Sequence, residues 1–151
     1  MTEQRILELC KQHREGHSKY TYFLLAAAAS AVAFAVQKTS GEKLSCSMIP
    51  LGLATISWGL SFYCGCKSLL WAQAVILANY DLLQLKSGTH PEQPPHPQLS
   101  QAAEEGVMSA IMTNMDGAAI HGRWQYRLLI LGGVLFLIWH ILDMVLRTCV
   151  T

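Results

Sequence analysis

The chain has 151 residues, a net charge of +1, 52% hydrophobic residues and only 14% charged ones. A soluble domain carries about a quarter charged residues, so the deficit points to lipid exposure. The near-neutral balance excludes the basic footprint of a nucleic-acid-binding protein.

Residues 1–19 are polar and of mixed charge, and they read as a cytoplasmic amphipathic helix with Ile6, Leu9 and Cys10 on one side. No short apolar core followed by a small-residue cleavage site is visible, so the expectation is that the whole chain is retained. Residues 20–36 form the first apolar run, flanked by Lys19 and Lys38. The run is rich in alanine, which contributes little to insertion, so it calls for close packing against neighbours.

After an outer loop at 37–47, a second apolar run covers 48–66. No Pro or Gly interrupts 68–85, so the helix is expected to continue to about residue 86 as a cytoplasmic extension. Leu69, Ala72, Val75, Ile76, Leu82 and Leu83 make an imperfect stripe on this extension, with Asn79 as its polar break. A fourth membrane span at 68–85 is the alternative, weakened by Gln73, Asn79 and Asp81. Ser57, Ser61 and Gly65, at every fourth position, form a ridge of small residues suited to helix packing in lipid.

A Pro-rich loop occupies 87–99. A second cytoplasmic amphipathic helix is expected at 100–116, with Ser100 as its N-cap and an apolar stripe of Val107, Met108, Ile111, Met112 and Met115. Gly117 or Gly122 breaks this helix, or it runs on into the next span. The third apolar run, Leu128–Leu146, lies between Arg127 and Arg147, is followed by an outer tail at 147–151, and has the length needed to cross a hydrocarbon core of about 30 Å. Gly132 and Gly133 give it a flat packing spot.

The fold class that follows is an all-α integral membrane protein, with three transmembrane helices and helical cytoplasmic extensions that pack as a bundle. Lys and Arg concentrate in residues 1–19 and 67–127. By the positive-inside rule these lie in the cytoplasm, in a multi-pass protein of the cell inner (plasma) membrane with a cytoplasmic N-terminus.

Four constellations could carry function. His140, Asp143 and Arg147 share one face of the third span, where ionisable groups mark either a polar path or an interhelical lock. The Met108, Met112 and Met115 stripe is a candidate partner surface, or packing. Cys46 and Cys149 flank spans on the outer side, where a disulfide is permitted. Cys10, His13 and His17 have metal-capable side chains but no fourth ligand, so neither a metal nor another cofactor is expected.

Enzyme motifs such as a phosphate-binding glycine loop, Gly-x-Ser-x-Gly or His-Glu-x-x-His do not occur, and the expectation is a non-enzyme. The small-residue faces predict a homo-oligomer in the bilayer. The leading functional expectation is a pore-forming or membrane-perturbing effector controlled through its cytoplasmic helices. Its architecture resembles that of small membrane effectors of bacterial antiphage defence. The alternatives are a non-conducting adaptor that recruits a soluble cytoplasmic protein and a membrane immunity protein that binds a toxin.

Overall fold

The computed structural model describes residues 2–40 and 48–149, with side chains from Glu8 onward except at 9, 10, 13, 14, 17, 147 and 149. Among the described residues there are three α-helices and no strand: α1 Thr2–Thr39, α2 Ile49–Ser87 and α3 Pro97–Cys149. At 38, 39 and 53 residues they are roughly 57, 58 and 80 Å long. All three contain stretches long and apolar enough to cross a membrane, within Ser18–Thr39, Ile49–Ser87 and Pro97–Leu146. The polar N-terminal segment joins the first apolar run without a break, and α2 is continuous through Lys67.

Helix ends follow local chemistry. At the end of α2, Gly88 takes φ 71°, the left-handed conformation that costs an L side chain about 1–2 kcal/mol. Its N–H donates to the Leu85 carbonyl (3.2 Å), and the Thr89 N–H donates to the Gln84 carbonyl (3.0 Å). This paired arrangement satisfies carbonyls that the helix end would orphan.

The next helix starts at Pro97, three residues before the expected Ser100. Proline suits the first helical position because its missing N–H would be unpaired there anyway. The Ser100 N–H already donates to His96 O (3.0 Å), so Ser100 sits inside the first turn rather than capping it. Gly117 and Gly122 do not interrupt α3, which runs on into the third span.

Two units are resolved by their internal packing: residues 1–65 with 123–151, and residues 66–122. In the first unit the inward positions recur at three- and four-residue steps. On α1 they are Thr21, Leu24, Ala28 and Ala35; on α2 they are Leu51, Ala54, Trp58, Ser61 and Gly65. That spacing is the signature of helices that pack side by side at shallow angles.

The apolar centre of this unit is Ala35, Leu51, Ala54 and Trp58, with Leu135, Phe136 and Trp139 packed against it. Phe136 organises the aromatic contacts, lying 6.0 Å edge-on from Phe34 and 5.8 Å from Trp58. Alanines at 28 and 35 are almost fully buried. They provide the close approach that an alanine-rich span needs in lipid.

The second unit is an antiparallel helical hairpin closed by residues 88–96. Its α2 seam is Ser68, Trp71, Val75, Ala78, Leu82 and Leu85, and its α3 seam includes Val107, Ile111, Asn114 and Ala118. The Ser68 hydroxyl donates to the Ala118 carbonyl (2.9 Å), and the Trp71 indole lies so close to Gly117 that a Cβ there would be 2.9 Å from Cδ2. The α2 stripe expected from sequence therefore divides. Val75 and Leu82 face inward, whereas Ala72, Ile76, Asn79 and Leu83 are exposed.

Candidate functional site

The polar chemistry of the first unit begins on α2. Ser57 and Ser61 are buried, and a buried serine hydroxyl needs an acceptor. Both find one in the backbone of α3: Ser57 Oγ donates to Leu128 O (2.8 Å) and Ser61 Oγ to Gln125 O (2.7 Å). Between them the Trp58 indole donates to Leu129 O (3.2 Å). Three side chains of one helix therefore rest on three carbonyls of the other. The ridge expected from Ser57, Ser61 and Gly65 is buried within the chain and is hydrogen-bonded at its two serines.

The two glycines of the third span have different surroundings. A Cβ at Gly132 would lie 2.5 Å from Trp58 Nε1, so this glycine makes room for the indole. Gly133 has nothing within 4 Å of that position and makes room for no side chain. Gly65 resembles Gly132, because a Cβ there would meet Gln125 Nε2 at 2.5 Å and Leu25 Cδ2 at 2.7 Å.

Gln125 is the polar residue that the sequence analysis did not single out. Its side chain is 1% exposed, and Nε2 is buried with no hydrogen-bond partner. A signal for it existed: Gln125, Leu128, Gly132 and Leu135 follow the three- and four-residue spacing of an inward seam. Its position just before Arg127, outside the apolar run, concealed it.

His140 and Asp143 sit one turn apart on α3. His140 is exposed in the single chain, with its ring parallel to that of Phe136 (interplanar angle 2°, centroids 6.5 Å apart) and tilted against Trp139. Asp143 is half-buried. The side chain of Arg147, the third member of the expected face, lies outside the described residues. At the other end of the span Arg127 stacks over the Trp124 ring at 5.7 Å. Arg and Trp together suit the headgroup layer, where an amphipathic anchor holds a span's depth.

The Met stripe is not core. Met108, Met112 and Met115 are 43%, 59% and 52% exposed, beside the inward Val107 and Ile111. Among the described residues no three His, Cys, Asp or Glu side chains converge as metal ligands. Cys64 and Cys66 are free thiols. Cys46, and the side chains of Cys149, Cys10, His13 and His17, lie outside the described residues. His121, absent from the sequence candidates, is half-buried with Nδ1 2.7 Å from Gly117 O.

No protein family, curated protein or solved structure matches this chain.

Proposed function

We propose that this chain is an oligomer-forming integral membrane protein that perturbs or opens the bilayer, with its second unit receiving the signal. The observation that carries this reading is the exposure of His140 on the outer surface of an apolar span. An imidazole facing hydrocarbon is costly, and ionisable groups at such depth face a bundle interior or water. One copy gives His140 no enclosure, so a neighbouring copy or an aqueous path must provide it.

Sparse burial within each span supports the same reading. Only 22%, 17% and 11% of the residues in an 18-residue apolar window of each candidate span are buried in one copy. The concentration of Lys and Arg in residues 1–19 and 67–127 supports a cytoplasmic side for both, in a plasma-membrane protein with a cytoplasmic N-terminus.

Conductance tests it. Purified protein in planar bilayers is expected to carry ion current, with amplitude or pH dependence altered by His140→Ala and Asp143→Ala. The exposed Met stripe favours a second reading, a non-conducting adaptor that recruits a soluble protein. Bilayers that stay silent while a soluble protein co-purifies in stoichiometric amount would replace the first reading with this one.

A further inference from the structure

The second unit leaves an apolar face uncovered, and its geometry specifies what covers it. On α2 the exposed residues Ala72, Ile76, Asn79 and Leu83, with the half-buried Leu69 one turn before them, follow steps of three and four. On α3 Met108, Met112, Met115 and Ala119 do the same. Each stripe is displaced one residue C-terminally from its helix's inward seam. In an antiparallel pair, an equal displacement of the same hand brings both stripes to one side of the hairpin.

Resting on the oligomeric reading above, we propose that this side binds the same side of a second copy, forming a four-helix bundle about a two-fold axis. Copies inserted in one bilayer share one orientation, so that axis runs along the helices. Each α2 stripe then lies against the partner copy's α3 stripe at the level already set within the hairpin. That level is fixed by Ser68 bonding Ala118 and Trp71 packing on Gly117. It brings Leu69 opposite Ala119, Ala72 opposite Met115 and Ile76 opposite Met112.

The residue types fit this register. A large side chain meets a small one in the first two layers, which is how helices interdigitate. Beyond Leu83, the exposed Lys86 comes within one turn of the level of the exposed Glu105, giving opposite charges at the rim. Ile76, Leu83, Met108, Met112 and Met115 are each 43–67% exposed. Covering them removes on the order of 500 Å² per copy and about 1,000 Å² per pair, the lower bound of a specific interface. Lipid is the poorer occupant, because Asn79, Glu105 and Lys86 on the stripe or its rim would enter hydrocarbon with it.

Two differently tagged full-length chains, both lacking the five native cysteines, test the register. One carries Ile76→Cys and the other Met112→Cys, and membranes are oxidised after co-expression. A disulfide between the two tags is expected, at about ten-fold the yield of either chain alone, since the bond requires Cα atoms within about 7 Å. Leu69→Cys with Ala119→Cys repeats the test two turns away if the first pair disturbs folding. Leu77→Cys with Ala110→Cys, exposed positions one residue N-terminal of the seam and so on the far side of the hairpin, is expected to give no bond.

Self-linking of Ile76→Cys alone would overturn the register. Protection of Met112→Cys from maleimide without any chain-to-chain bond would assign the face to another protein and overturn the proposal. Multi-copy complexes that never cross-link at these pairs would overturn this surface while leaving the oligomeric reading intact. Single copies throughout would overturn both.

Discussion

Glycines 132 and 133 are adjacent in sequence and opposite in role. Gly132 accommodates the Trp58 indole, so Gly132→Ala must move a ring that is buried and hydrogen-bonded to Leu129. Overpacking of this kind costs about 1–3 kcal/mol. Gly133 faces open space, and Gly133→Ala is expected to be neutral or to add up to about 1 kcal/mol through helix propensity. Reversible unfolding in mixed detergent micelles measures both. Equal losses at the two positions would contradict the packing described.

Gln125 gives a second residue-scale test. Its buried Nε2 has no partner, and removing an unsatisfied polar group from such a site is neutral or stabilising. Gln125→Met is therefore expected to raise stability by up to about 1–3 kcal/mol in the same assay. Ser61→Ala is expected to lower it by about 1 kcal/mol, because a hydroxyl bonded to Gln125 O is lost. Destabilisation by Gln125→Met would show that the amide has a partner in the native membrane.

At the scale of elements, the long helices were legible in the apolar runs and in the uninterrupted stretch after Lys67. Their merging was less so. Gly117 and Gly122 left open in the sequence whether residues 100–116 run on into 128–146, and both glycines sit against α2 side chains within one continuous helix. Tertiary contact overrides the weak helix propensity of glycine there. Similar physics explains Ser100, which has the right residue type for a cap but lies one turn inside the helix that Pro97 starts.

The candidate site was legible in part. The small-residue ridge on α2 could be seen from its four-residue repeat, but the carbonyls that receive its hydroxyls could not be assigned without the partner helix. The α2 stripe mixed inward and outward residues, because a two-faced helix blurs a single-face pattern. The turn after α2 provides the test at this scale. Gly88→Ala forces an L side chain into the left-handed region and is expected to cost about 1–2 kcal/mol. The loss should appear as faster hydrogen exchange at the end of α2, and unchanged exchange there would contradict the cap.

For the whole molecule, one copy presents membrane-length helices with little of their surface covered and an apolar-faced hairpin with no packing partner on that side. Both features point to assembly, and both proposals depend on it. The most direct measurement counts copies: single-molecule photobleaching of a fluorescently tagged chain at low density in its native membrane. Most complexes are expected to bleach in two or more steps. Uniform single-step bleaching, with the protein correctly inserted, would contradict assembly.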